Sequence, residues 1–439
     1  MLLEGTAQNS VPSRALSSLR KYTIQLPIRY ISMNHCMTKP NLTSTAGQWS
    51  LDDLEALQLL DQIQEDHSCY EVNNNEGDVV EFRLPSNPET QCFIDRLQLG
   101  IHCRQQRPLA SLRTTKGIQG NKKLSVQYAK GLPIQLISAL PSIFSMPLSG
   151  TYTVSVELET IHSVIQDLSD TERFILGSFT SNSAYTNEQA QAYVAALNRF
   201  QNLLNERMSS AKVRKRLYNR KDSRLKTKEK MIDLVHALLH VHSKILVVRI
   251  DLGIMRDPES LINRQISSDQ WQSEQDSQFI IDALERLNEN VRMNRMKHAL
   301  GYIHRIEYGP QKAFHVHAYY FFDGQDHWAD ITWGQYIAKQ WQHVTNNQGS
   351  VFICNMKKED YRYCALGMLD YSDVEMLKNL EQSFDYLCKN DQYFQFMTQK
   401  RLRGFRISQT PEIPEVKMGC PRKHDQSHLK HFRALDRHA

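Results

Sequence analysis

The sequence predicts an α+β fold built on a central antiparallel sheet with helices packed on one face. Three observations predict it. Between residues 243 and 410, strand-like and helix-like apolar patterns follow one another in the order β-α-β-β-α-β-α. The second and third strands are separated only by the turn Gly309-Pro-Gln-Lys312, which makes them a hairpin. The first strand, Ile245 to Leu252 (ILVVRIDL), is β-branched and apolar enough to lie inside the sheet.

The elements follow in order along 439 residues, a length that suits about three domains. Residues 1–155 read as an N-terminal region of mixed structure with no assignable role. In it, Ser50-Leu-Asp-Asp53 is a capping box opening a helix with Leu54, Leu57, Leu60 and Ile63 on one face. Asn73 to Asp78 is a turn between the strand-like runs Tyr70–Val72 and Val79–Leu84, and Thr151–Glu159 alternates as another strand. Residues 156–242 form a helical basic segment. Thr186-Asn-Glu-Gln189 caps a helix striped by Tyr193, Leu197, Phe200 and Leu204; a basic run follows, then a helix from about Lys228 to Leu239. Residues 243–410 hold the sheet. Its helices are striped by Phe279, Ile280, Leu284, Leu287 and Val291, then by Trp333, Ile337, Trp341 and Val344, with the short strand Val351–Cys354 after them. Ser372-Asp-Val-Glu375 caps the last helix, which turns Val374, Leu377, Leu380, Phe384 and Leu387 inward. Residues 411–439 read as a basic, flexible tail.

Composition excludes several classes. With 41% apolar and 23% charged residues the chain is neither disordered nor fibrous. Gly131–Val156 is uncharged but broken by Pro133, Pro141 and Pro147, so no membrane span and no membrane partner are expected, and the N-terminus lacks a signal-peptide pattern. Eight scattered cysteines without a CxxC pair suit reduced thiols in a cytoplasm. Lys212–Lys230 carries ten Lys or Arg against two acids, and residues 401–439 carry nine against four, while the rest of the chain is net negative. Two basic blocks beside one folded segment are the footprint of a polyanion binder. Arg214, Lys215, Arg216, Arg220 and Lys221 in the first block, and Arg401, Arg403 and Arg406 in the second, are the expected phosphate contacts. A solvated helix face is the alternative for either block alone.

The hairpin carries His315-Val-His317. Residues two apart on a strand share a face, so both imidazoles can chelate one divalent cation while Val316 points into the core. A three-residue loop would set Glu307 opposite His315 and add a carboxylate; a loop of even length would turn Glu307 away. His240-Val-His242 repeats the triplet at a helix end, where alternation does not hold. Tyr386-Leu-Cys-Lys389 lies at the edge of the last helix's apolar stripe. A phenol is a suitable nucleophile for reversible phosphodiester cleavage, because a phenolate of pKa ~10 also leaves readily. Lys389 would steady charge on the phosphate or lower the phenol's pKa, and Tyr393 is a second nucleophile or an anchor. Arg249 and Asp251 share a face of the first strand, near the metal or as an ion pair.

This series resembles the HUH endonucleases that initiate rolling-circle replication. Residues 243–409 are similar to the inovirus-type replication proteins related to the YagK/YfjJ C-terminal domain, through VVRIDL (Val247–Leu252), FHVHAYYFFDG (Phe314–Gly324), YLCKNDQ (Tyr386–Gln392) and KRLRGFRISQ (Lys400–Gln409). The resemblance implies an RRM-like palm and a divalent ion, Mg²⁺ or Mn²⁺, on His315 and His317, with Glu307 as third ligand. It also implies attack by Tyr386 on single-stranded DNA at a replication origin. The products would be a 5′-phosphotyrosine and a 3′-hydroxyl that primes the host replication machinery in a bacterial cytoplasm, for a phage, plasmid or integrated element. Two other readings stand beside it: a non-catalytic DNA-binding or regulatory protein with the same palm, and a hydrolytic metallonuclease.

Overall fold

The computed structural model describes residues 88–414 except 106, 117–121, 148–151, 181–184, 256–269, 294–295, 297, 310–312, 362, 390–393 and 397–403, together with 56–57, 60, 69–73 and 79–83. The capping box at Ser50 and the residues Leu54, Ile63, Tyr393, Arg401 and Arg403 lie outside the described residues, as do 415–439.

Strands β1 (Cys69–Asn73) and β2 (Val79–Arg83) form the expected hairpin, with Asn73 opposite Val79. Helix α1 (Pro88–Cys103) is followed by the hairpin β3 (Ala110–Lys116) and β4 (Lys122–Tyr128), helix α2 (Ile134–Ser145) and the short strand β5 (Tyr152–Val154). Helices α3 (Val156–Asp167), α4 (Asp170–Ser178) and α5 (Asn187–Met208) come next. The stretch Thr151–Glu159 is therefore not one strand. The Ser155 hydroxyl accepts from the Leu158 amide, and Glu157 and Glu159 sit in the first turn, so local capping starts α3 where alternation predicts more strand. The capping box at Thr186 opens α5 as expected. One buried cluster runs from Leu99 to Leu204 through α1–α5, so the boundary expected at 155 falls inside it. Arg96, fully buried, donates to the carbonyls of Ile143 and Met146 at the end of α2. Gln201 clamps the loop after α1 by bonding Cys103, Gln105, Arg107 and Leu109.

The basic run and the helix expected after it are a single helix, α6 (Ala211–Val241). No Gly or Pro interrupts it, and Lys and Arg are good helix formers, so at 31 residues it is roughly 46 Å long. Strands β6 (Lys244–Ile254), β7 (Ala299–Gly309) and β8 (Ala313–Asp323) follow, with α7 (Gln270–Arg292) between the first two. After them come α8 (Asp330–Val344), β9 (Gly349–Ile353), a 3₁₀ turn (Cys354–Asp360) and β10 (Gly367–Asp370). Helix α9 (Val374–Lys389) and strands β11 (Phe394–Phe396) and β12 (Phe405–Ile407) complete the chain's described elements.

The main sheet is antiparallel, in the order β10-β6-β8-β7-β12, and β9 lies on the same edge of β6 as β10. The fold is α+β. β10 pairs Lys244–Val247 and β9 pairs Ile250–Ile254, which leaves a gap in the ladder. Asn355 fills it: its side chain accepts from the Arg249 amide at 2.8 Å and donates to the Val247 carbonyl at 3.0 Å.

Helices cover both faces of this sheet rather than one. Leu246, Val248, Ile250, Val316 and Tyr320 pack against α7 and α8, whereas Ile245, Val247, Tyr319 and Phe321 pack against α6 and α9. A strand apolar on both sides requires cover on both sides, and the continuous run ILVVRIDL is such a strand. The cap of α9 is Asp373, which accepts from the Met376 amide, while Ser372 bonds Asp370 instead. β11 returns to pair with β5 and joins the two halves of the chain. No helix among the described residues is long and apolar enough to cross a membrane, and Cys92, Cys103, Cys354, Cys364 and Cys388 are not in disulfides.

Candidate metal centre

The hairpin β7–β8 has a three-residue connection, and its register sets Glu307 opposite His315. The same ladder sets Arg305 opposite His317, and β6 sets Asp251 opposite His317 on the other side. Alternation then brings all five side chains to the face covered by α6 and α9, as two rows across three strands.

Glu307, His315 and His317 each offer a ligand atom within 4.8 Å of the others. His317 Nε2 lies 3.3 Å from Glu307 Oε2, and its Nδ1 donates to Asp251 Oδ1 at 2.7 Å. Two donors about 2.1 Å from one ion stand roughly 3.0–3.4 Å apart, so the His317–Glu307 spacing fits a shared cation. Asp251 holds the ring so that Nε2, not Nδ1, faces the cluster. The donor set is two imidazole nitrogens and one carboxylate oxygen, which together could hold a divalent cation.

Charge is tightly balanced here. Burial opposes a carboxylate at Glu307, but His317 and Arg305 outweigh it and hold the pKa down to about 2. Burial likewise opposes a charged His317, yet Asp251 and Glu307 push its pKa up to about 9. Arg249, 8% exposed, lies between the rings of Tyr319 and Tyr361, with its Nε 3.9 Å from Asp251. It is thus both an ion-pair partner of Asp251 and a neighbour of the cluster. Burial pushes the Tyr361 phenol well above its ordinary pKa, which disfavours it as a nucleophile.

Helix α9 covers this same face. Tyr319, two residues beyond His317, donates to Ser383 at 3.1 Å and meets Phe384 edge-on. Cys388 lies within the electrostatic reach of Arg305. Tyr386 lies on the same helix and is partly buried, whereas the Lys389 side chain is outside the described residues. Lys228 of α6 fixes the helix by bonding Glu381 and Asp385, each at 2.9 Å.

The basic residues sort into two sets. Arg220 makes a two-pronged pair with Glu157, and Arg216 lies 2.6 Å from Glu159, so these two bind α3 rather than standing free for phosphate. Arg406 turns to Glu285 at 3.6 Å on β12, with its side chain 18% exposed. Arg214, Lys215 and Lys221 are exposed. At the end of α6, His240 meets His236, and His242 bonds Asp323, so that second His-Val-His triplet holds no cluster. Sequence reasoning set Asp251 near the metal or in an ion pair without joining it to His317, and left out Arg305; period-two alternation along β6 and β7 was the signal for both.

Residues 204–405 match the model of the YagK/YfjJ C-terminal domain. The matched stretch runs from the end of α5 to the start of β12, so it takes in all of α6 as well as the sheet. No curated protein and no solved structure matches the chain. The wider likeness to rolling-circle initiators has no counterpart among the matches.

Proposed function

We propose that the chain is a replication initiator that nicks and rejoins single-stranded DNA through a tyrosine nucleophile. The observation that carries this reading is the Glu307–His315–His317 cluster on the sheet face covered by the helix that bears Tyr386. The strand order β9-β6-β8-β7, with α7 and α8 on the opposite face, supports an RRM-like palm. Glu307, His315 and His317 would hold Mn²⁺ or Mg²⁺, which when bound would polarise the scissile phosphate. Asp251 keeps His317 oriented. The Tyr386 Oη forms a bond to phosphorus as the P–O3′ bond breaks; the phenol loses its proton and the leaving O3′ gains one. The enzyme retains a 5′-phosphotyrosine, and the free 3′-hydroxyl can prime the host replication machinery or attack the phosphotyrosine to restore the strand. Arg214, Lys215 and Lys221 would steady the DNA backbone. Their exposure alone also suits a DNA-binding protein that cuts nothing.

The test is to incubate the full chain and Mn²⁺ with labelled single-stranded oligonucleotides tiling the element that encodes it. An adduct that survives SDS and disappears in Tyr386→Phe and His315→Ala is expected. An adduct retained by Tyr386→Phe moves the nucleophile elsewhere. Cut strands without an adduct mean hydrolysis by water, and binding without cutting means the non-catalytic protein.

A further inference from the structure

We propose that Tyr218 is a base-stacking platform for single-stranded DNA on the outward face of α6. This deepens the reading above and rests on single-stranded DNA being the partner. Tyr218 is 69% exposed in the middle of a helix whose other large apolar residues, apart from Val241 at its last position, turn inward or are partly covered. An aromatic ring left in water on a regular helix stabilises nothing in the fold.

Its neighbours explain the placement. Residues three and four apart share a helix surface, so Arg214, Lys215 and Lys221 surround the ring. All three are exposed, and no carboxylate among the described residues pairs with them. The one acid on that side, Asp222, is taken by Lys226 at 2.7 Å. Cations on the inward side are treated differently: Arg216, Arg220 and Lys228 each have glutamate or aspartate partners. The helix thus neutralises the cations that face protein and leaves bare those that flank Tyr218. A π-face ringed by unpaired cations matches a nucleobase beside its phosphates, and stacking of this kind is indifferent to sequence. The same helix, ten residues on, holds Lys228 against α9, so the platform lies roughly 15 Å along the axis from the contact next to Tyr386.

The test measures binding of the full chain to a fluorescent dT oligonucleotide in EDTA, so that cleavage plays no part. Tyr218→Ala should weaken binding by about 5- to 30-fold, with the salt dependence unchanged, and Tyr218→Trp should restore it. An abasic strand of the same length should bind the parent chain and Tyr218→Ala equally. Lys215→Ala with Lys221→Ala should instead flatten the plot of log K against log salt by about 1.4. Undiminished dT binding by Tyr218→Ala overturns the proposal, as does an equal loss on the abasic strand. Tighter binding of an rU strand than of dT would overturn the assignment to DNA. An SDS-resistant adduct formed as readily by Tyr218→Ala with undiminished binding would sink the platform and leave the nuclease standing.

Discussion

Replacing Asp251 with asparagine tests the metal centre without touching a ligand. The carboxylate accepts the Nδ1–H of a ring only 10% exposed, at 2.7 Å. Asparagine keeps the shape but removes the charge, and it can turn its NH₂ toward Nδ1, which moves the ring proton to Nε2 and blocks the donor that faces Glu307. Losing such a supporting carboxylate typically weakens metal affinity about 10- to 100-fold, or about 1.4–2.8 kcal/mol. Titration calorimetry with MnCl₂ on the full chain should show that rise in Kd, while unfolding in EDTA stays close to the parent's. An Asp251→Asn protein that binds Mn²⁺ with an unchanged Kd would refute the argument that Asp251 sets the donor atom.

Two further outcomes concern the frame around the site. Lys228, 4% exposed, bonds both Glu381 and Asp385, so Lys228→Met should destabilise the fold by about 3–5 kcal/mol in urea unfolding. A stable Lys228→Met protein with weakened DNA binding would make this lysine a phosphate ligand instead. His304 is fully buried, stacked on Tyr302 at 4.4 Å, near Tyr320 and across the ladder from Arg406, itself paired with Glu285. Burial, then Arg406, pushes its pKa down to about 3. The unfolded chain takes the proton near pH 6.5 and the folded chain does not, so stability is full above that value. It should fall by about 2 kcal/mol on the way to pH 5. His304→Phe should flatten this slope; an equally steep loss would place the acid sensitivity elsewhere, with His102, whose pKa burial pushes down to about 4, the first alternative.

Much of the sheet was legible because its signals are local. ILVVRIDL reads as a covered strand, and of the two loop lengths the sequence left open the structure has the three-residue one, which sets Glu307 opposite His315. Signals that compete at short range misled. Alternation at Thr151–Glu159 lost to the Ser155 cap, and a change of composition at Lys228 suggested a helix start where the backbone continues. The charge map listed the cations but not their partners, since a run of cations does not say which of them meet Glu157 and Glu159.

Residue order by itself determined the period-two faces, and with them the shared side of His315 and His317, because strand geometry fixes which neighbours point together; the hairpin register then brought Glu307 to that side. Only the tertiary structure decided that Asp251 would hold His317, that α9 would pack on the sheet face that carries the cluster, and that Arg216 and Arg220 would be drawn to α3 while Tyr218 stayed in solvent. Those outcomes depend on contacts between segments tens to more than a hundred residues apart, and no local pattern encodes the partner at such separations.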